Sequence, residues 1–307
     1  MKKLTITIII CALNEEKNIG SLLEDIIIQR YSKEFNSSFV VKKILIISDG
    51  SSDKTTQIVR IYSKKDSRIE LLENPQRIGK IFSLNKAFNS VDEDYVILFD
   101  ADVRLIEDTI DELTKPFLIY PYDLVGGNPV PFSPKKILNL AEQGSYFSWL
   151  LLQEIKTRHP LSIYSAHGRI LMLSRKLYKN SKIDHLSTPG DDQFLYLKAC
   201  HNFYYQKKAI VKYTMPNTIG DYIKQGIRFR LAKQIRLRDK KLEMDILKEF
   251  ALRDDIIITF KTFSHNPYQF FCWLLLYFLS FIKFIITIKN DHILDFNKTW
   301  GEVNSTK

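Results

Sequence analysis

Tyr95-Val96-Ile97-Leu98-Phe99-Asp100-Ala101-Asp102 is the stretch from which the rest of the chain is read. β-Branched and aromatic residues follow one another as in a buried strand, and the run stops on two carboxylates separated by one small residue. Side chains alternate along an extended chain, so Asp100 and Asp102 are expected on one side of the strand's C-terminal end. Two hard oxygen ligands placed this way suit a shared divalent cation, Mn²⁺ or Mg²⁺, completed by water and substrate phosphates. An isolated Asp-x-Asp also closes strands simply by opening a polar turn, so the rest of the chain has to decide.

Upstream, Thr5 to Ala12 has the Ile- and Thr-rich composition of a first strand. Met1-Lys2-Lys3 and the apolar run imitate a secretory signal, but the run leads into Asn14-Glu15-Glu16 with no small-residue cleavage site. A strand of a cytoplasmic domain is the expectation. Ile19, Leu22, Leu23 and Ile26 then recur at helical spacing. A second strand, Lys43 to Ile47, enters Ser48-Asp49-Gly50-Ser51-Ser52-Asp53-Lys54-Thr55, and a helix carrying Ile58, Val59 and Tyr62 follows. Strand, polar turn and helix in repetition predict an α/β domain with a mostly parallel sheet flanked by helices. Ligands of such sheets sit beyond the carboxyl ends of the strands, where Ala12 to Glu15, Asp49 to Ser51 and Asp100 to Asp102 would converge. A third turn, Asn74-Pro75-Gln76-Arg77-Ile78-Gly79-Lys80, offers a glycine for close backbone approach and two cations for phosphate oxygens. It is not a Walker-type loop, because the glycines and the Gly-Lys-Ser/Thr ending are missing from the first strand's turn.

Taken in order, Ile8-Ile9-Ile10-Cys11-Ala12-Leu13-Asn14-Glu15-Glu16, Ser48-Asp49-Gly50-Ser51-Ser52-Asp53, Gly79-Lys80 with Leu84-Asn85, and Phe99-Asp100-Ala101-Asp102 resemble the family-two inverting glycosyltransferases of the GT-A, Rossmann-like fold. The resemblance implies that Ala12, Asn14, Glu15 and Asp49 surround the nucleoside, usually uridine. It places Gly79, Lys80, Asp100 and Ala101 at the nucleotide, with Asp102 as the main metal ligand assisted by Asp100. Ser48 stands where many members carry another acidic residue.

Further along, Val125 to Pro131 reads as a strand and Gln143 to Lys156 as an apolar helix, either core or a cover for a cleft. Ser165-Ala166-His167-Gly168-Arg169 precedes another apolar strand, Ile170 to Leu173; in related enzymes this region lines the acceptor side. His167 is expected to be structural or an acceptor contact, with a catalytic base as the alternative. In Thr188-Pro189-Gly190-Asp191-Asp192-Gln193 the aspartates suit a helix cap. By the resemblance Asp192 is the general base that takes the acceptor hydroxyl's proton, with Asp191 beside it. Gln225-Gly226-Ile227-Arg228-Phe229 resembles the Gln-x-x-Arg-Trp motif of the polysaccharide-synthase branch, which implies that Gln225, Arg228 and Phe229 border acceptor and diphosphate. Phe229 keeps an aromatic platform but loses the indole donor.

Ile223, Ile227, Leu231 and Ile235 form an apolar stripe amid Lys224, Arg230, Lys233, Arg236, Arg238, Lys240 and Lys241, as on a helix at an anionic bilayer surface or simply a solvated face. Pro267 to Ile288 is nearly unbroken aromatic and aliphatic sequence, of a length for a spanning helix or for a buried helix or shallow hairpin. The expected domains are 1–218, with a nucleotide-sugar half 1–105 and an acceptor half 106–218, and a membrane-associated region 219–307.

The formal net charge of +10 favours an anionic partner, yet no nucleic-acid module is recognisable, so a phosphorylated small molecule or a membrane is expected. Cys11, Cys200 and Cys272 fit no metal-ligand spacing and read as reduced thiols. The combined expectation is a membrane-associated, cytoplasm-facing glycosyltransferase. It moves a sugar from a nucleotide-diphosphate donor, UDP-linked by preference, to a lipid-linked or growing glycan acceptor. The rivals are a nucleotidyltransferase and a catalytically silent nucleotide-binding membrane partner.

Overall fold

The structure, a computed structural model, describes residues 2–183, 190–199, 202–234 and 256–290. Thr188 and Pro189, Cys200, Ile235 with Arg236, Arg238, Lys240 and Lys241, and the tail after residue 290 lie outside the described residues. Two units divide the chain: Met1–Val130 with Ser165–Tyr213, and Pro131–Tyr164 with Thr214–Lys307.

Within the first unit, β1 (Leu4–Ala12) is the central strand, and Ile8, Ile9 and Ile10 are buried in succession because helices or strands cover both faces. It pairs in parallel with β2 (Phe39–Asp49) on one side and with β4 (Tyr95–Asp100) on the other, and β2 in turn with β3 (Ile69–Asn74). The intervening helices are α1 (Ile19–Ile27), α2 (Lys33–Ser38), α3 (Thr55–Lys65) and α4 (Lys80–Ser90). The apolar stripe read from the sequence is the buried face of α1: Ile19, Leu22, Leu23 and Ile26 join Ile6, Ile8, Ile44 and Ile97 in one core. Each such side chain contributes roughly 1.5–3 kcal/mol of transfer free energy.

Past β4 the direction of pairing changes. β5 (Val103–Leu105), α5 (Thr109–Thr114), β6 (Leu124–Pro131), β7 (Ile170–Ser174), α7 (Arg175–Asn180), α8 (Asp191–Lys198) and β8 (Phe203–Tyr213) complete the unit. The sheet order is β3-β2-β1-β4-β7-β6-β8-β5, with β4 antiparallel to β7, β7 to β6 and β5 to β8. The sheet is thus mixed, and its parallel block β3-β2-β1-β4 carries the motifs. Its strand order reverses on either side of β1, the point at which α/β sheets open a crevice.

The second unit is helical. It contains α6 (Leu140–Arg158), α9 (Ile219–Gln234), α10 (Ile256–His265) and α11 (Pro267–Asn290). Asn139 caps α6 by accepting from the Glu142 amide, and the expected helix from Gln143 to Lys156 lies inside it. Among the described residues one helix is long and apolar enough to cross a membrane, over Pro267–Ile286, inside the run picked out by hydropathy.

Candidate active site

Backbone register alone collects the carboxyl ends of the parallel strands. Cys11 lies opposite Asp100, Ala12 opposite Ser48, and Asp49 opposite Asn74. From this rim the chain turns with Asn14 in a left-handed conformation, φ 54°. Asn14 Oδ1 accepts from the Ser52 amide at 2.9 Å, its own amide donates to Ser51 Oγ at 3.2 Å, and the Glu15 amide donates to Thr55 Oγ1 at 2.7 Å. Asp53 accepts from the Glu16 amide at 3.0 Å. The first motif and the Asp-Gly-Ser turn are therefore one hydrogen-bonded piece.

Asp49 is buried, and its carboxylate accepts from Asn74 Nδ2 at 3.0 Å, from the Ile78 amide at 3.0 Å and from the Gly79 amide at 2.8 Å. Ser83 Oγ donates to it as well, at 3.3 Å. One carboxylate thereby orients the whole turn that leads into α4. Gly50 is required here: its φ is +71°, and an added Cβ would fall 2.6 Å from the Gln76 carbonyl carbon. Gly79 also has positive φ, +99°, but faces open space.

That turn delivers Lys80. Its Nζ lies 2.7 Å from Asp100 Oδ1 and 3.0 Å from Asp191 Oδ2, so a single ammonium joins the end of β4 to the start of α8. Burial works against its charge, but the two carboxylates outweigh burial and hold the Lys80 pKa well above the ordinary lysine value.

Asp102 corrects the expectation from alternation. β4 ends at Asp100, and Ala101 and Asp102 form a turn before β5, so the Asp-x-Asp pair is not a continuation of one pleat. Burial raises the Asp102 pKa above the usual carboxylate value, Asp100 adds to this, and the charges of Arg169 and Lys80 oppose it. Asp102 and its neighbour Asp100 offer hard oxygen donors of the kind a divalent cation takes.

At α8, neither aspartate is the cap residue; that is Gly190, with no side-chain capping bond. Asp192 Oδ2 instead accepts from the Gly168 amide at 3.1 Å, and Oδ1 from the Gln193 amide at 2.8 Å. Burial and then the Asp191 charge push the Asp192 pKa up to about 6. Asp191 has the ion pair with Lys80.

Arg169 was not among the residues singled out. It lies on the segment before β7, and its backbone carbonyl accepts from the Asp100 amide at 3.4 Å. Its guanidinium stacks over Tyr213 at 3.9 Å and contacts His167, with Nη1 3.2 Å from Nε2. Despite burial, the charges of Asp102, Tyr213 and Asp100 hold its pKa above the ordinary value. Only the antiparallel pairing of β4 with β7, Phe99 opposite Ile170, brings it there. Asn74, Ser83 and Tyr213 were missed for the same reason: each is defined by a partner distant in sequence.

Ala12, Asn14, Glu15, Asp49, Gly79, Lys80, Asp100, Ala101 and Asp102 thus stand along connected turns, with His167, Gly168, Asp191 and Asp192 joined to them through Lys80 and Arg169. Gln225, Arg228 and Phe229 belong to α9 of the second unit, where only the Gln225 side chain is described.

The model of the family "Glycosyl transferase family 2" matches residues 7–181, more than half of the chain. Poly-beta-1,6-N-acetyl-D-glucosamine synthase of Staphylococcus aureus is 27% identical over 251 residues, 76% of this chain and 56% of the relative. Dolichyl-phosphate beta-glucosyltransferase ALG5A of Trichomonas vaginalis is 30% identical over 110 residues, 36% of this chain and 34% of the relative. The chain therefore spans a third to just over half the length of these curated relatives. Among solved structures, the mannosyltransferase PcManGT of Pyrobaculum calidifontis, in complex with GDP-Man and Mn²⁺, superposes with a TM-score of 0.60 at 16% identity. The superposition covers 94% of this chain and 88% of that one. The fold is shared with it.

Proposed function

The chain belongs to glycosyl transferase family 2, and from that premise we propose that it transfers a sugar, with inversion, from a nucleotide-diphosphate donor to a lipid-linked or growing glycan acceptor. The observation that carries this reading is the Lys80 bridge. It ties the carboxylate-bearing end of β4 to the α8 terminus bearing Asp192, which supports a reading in which the carboxylates that would hold a cation and the one that would act as base share one rim.

Ala12, Asn14, Glu15 and the Asp49-ordered turn would receive the nucleoside, UDP by preference. Lys80, already paired with carboxylates, would be available to diphosphate oxygens once a cation takes over Asp100. Asp102, assisted by Asp100, offers hard oxygen donors that fit Mn²⁺ or Mg²⁺. A bound divalent ion would neutralise charge on the departing diphosphate. Asp192 accepts the acceptor hydroxyl's proton while that oxygen attacks the anomeric carbon from the face opposite the leaving group. The Gly168 and Gln193 amides hold the carboxylate oriented for this. Its pKa of about 6 leaves it ionised, yet a stronger base than a free aspartate, at neutral pH. Arg169 keeps positive charge beside Asp102, and His167 positions Arg169. Gln225, Arg228 and Phe229 are assigned to the acceptor and diphosphate side by their motif. Membrane association, with the catalytic unit on the cytoplasmic side, is supported by the apolar Pro267–Ile286 helix and the basic composition.

Purified full chain is incubated with UDP- and GDP-sugars, Mn²⁺ and lipid-phosphate or glycan acceptors, and nucleotide release is measured. Asp102→Ala and Asp192→Asn should each lower turnover by roughly 100-fold or more. Undiminished turnover in both variants would refute the assignment, and pyrophosphate release from a nucleoside triphosphate would point to nucleotidyl transfer instead.

A further inference from the structure

α11 has the length of a membrane span, but its partners are wrong for one. Its buried residues Cys272, Leu276, Ser280 and Phe284 recur every four positions and form a single stripe. That stripe packs on protein. Gly144 of α6 lies so close to Leu276 and Trp273 that an added Cβ would sit 2.9 Å from the Leu276 side chain. Phe147 meets Phe270 edge-on and Trp273 at a tilt, with centroids 5.4 Å apart in each case. Arg230 of α9 donates to Ser280 Oγ at 2.6 Å and to the Tyr277 carbonyl at 3.2 Å, and its guanidinium lies 4.7 Å from the Tyr277 ring.

These contacts fix what would accompany α11 into a bilayer. Tyr277 to Ser280 is the middle of the helix, so in a perpendicular span Arg230 would sit near the bilayer centre. Gly144 meets Leu276, so the α6 terminus with Glu142 would lie within a few ångströms of the same depth, since a helix rises about 1.5 Å per residue. The irregular segment before it, where the Lys135 backbone amide donates to Glu142 Oε2 at 2.9 Å, would follow. Backbone outside helices is not tolerated where it faces hydrocarbon. The opposite face of α11 carries Phe271, Leu275, Phe278, Ile282 and Ile286, all exposed, and α10 adds exposed Phe260. One face covered by polar-decorated helices and one apolar aromatic face describe a helix lying in the interface plane.

We infer that α11 docks edge-on to an anionic bilayer, its Phe271–Ile286 face sunk into the headgroup–acyl boundary, and does not cross it. The occupant is a lipid surface and not a protein. Arg230 and Lys224 stand on α9, the helix packed on α11, the sequence 224–241 is rich in Lys and Arg, and the chain's net charge of +10 complements acidic headgroups. This inference rests on the membrane association proposed above, and the two fail separately in the test.

Full-length protein is floated with vesicles of phosphatidylcholine and phosphatidylglycerol at 70:30, then with phosphatidylcholine alone. Binding should be at least about tenfold stronger to the anionic vesicles, and Phe278→Glu with Ile282→Glu should lower it by about tenfold or more. No flotation on either lipid would overturn membrane association itself. Sidedness then tests the orientation. In inverted membrane vesicles, Asn266→Cys and Ser305→Cys, each in a Cys11→Ser, Cys200→Ser, Cys272→Ala background, should both react with an impermeant maleimide without detergent. Reaction of only one would mean that the helix crosses, overturning the inference while leaving membrane association intact. A protease-accessibility assay on otherwise wild-type protein with a C-terminal epitope gives the same readout should the cysteine-free background fold poorly. Loss of the epitope together with digestion of the catalytic unit is expected, and protection of the epitope alone overturns.

Discussion

Lys80 Nζ stands 2.7 Å from Asp100 Oδ1, an ammonium placed against the carboxylate that closes β4. Both groups are partly solvated, so the pair is worth less than a dry one, yet Lys80 also meets Asp191 and so balances negative charge on two elements at once.

Replacing Lys80 by Met leaves Asp100 and Asp191 without this counter-charge. The expected result is a loss of about 1–2 kcal/mol in thermal or denaturant unfolding. Mn²⁺ should stabilise Lys80→Met more than it stabilises wild type, because the cation takes over the vacated role. Donor KM should rise. Equal metal stabilisation of both proteins, read by thermal denaturation, would contradict this.

Asp192 separates activity from stability. Its folded pKa, about 6, lies above the ordinary carboxylate value, so the folded state binds the proton more tightly. Stability from this group is complete below the unfolded pKa and is lost as pH rises through about 6. Asp192→Asn removes that loss, so above pH 7 it should melt at or above the wild-type temperature while turnover falls roughly 10²–10⁴-fold. The wild-type kcat/KM should decline below a pH of about 6 as the base protonates.

Asp49 acts through the turn that it orders. In Asp49→Asn one oxygen becomes an amide donor facing the Ile78 or Gly79 amide, both donors. A loss of about 2–3 kcal/mol is expected, from one charge-assisted bond and one unpaired buried group. Donor KM should rise more than kcat falls, measured with saturating acceptor.

The two positive-φ glycines should behave differently. Gly50→Ala places a Cβ against the Gln76–Arg77 backbone and should cost about 3 kcal/mol or more. Gly79→Ala meets nothing within 4 Å, so only backbone strain of about 1–2 kcal/mol is expected. Denaturant titration of the two variants distinguishes them.

Sequence by itself determined the parallel block and its rim. Ile8 to Ile10, Lys43 to Ile47 and Tyr95 to Phe99 are local signals, and in a right-handed strand–helix–strand chain the polar turns after them must fall at the same edge. The apolar stripe of α1 and the long apolar helix at Pro267 were legible for the same reason, being periodic over neighbouring residues.

Tertiary structure alone decided the rest. Nothing near Arg169 in the chain says that β7 will run antiparallel beside β4 and set its guanidinium by Asp102 and Tyr213. Nor does Ser48-Asp49-Gly50 reveal that the Asp49 carboxylate is consumed by amides about thirty residues away. Hydropathy gave α11 the length to span a bilayer, whereas Arg230 against Ser280 opposes a span. Periodicity and turn chemistry report on neighbours along the backbone. The partner that satisfies a buried charge arrives from another element, and only the packed chain specifies which one.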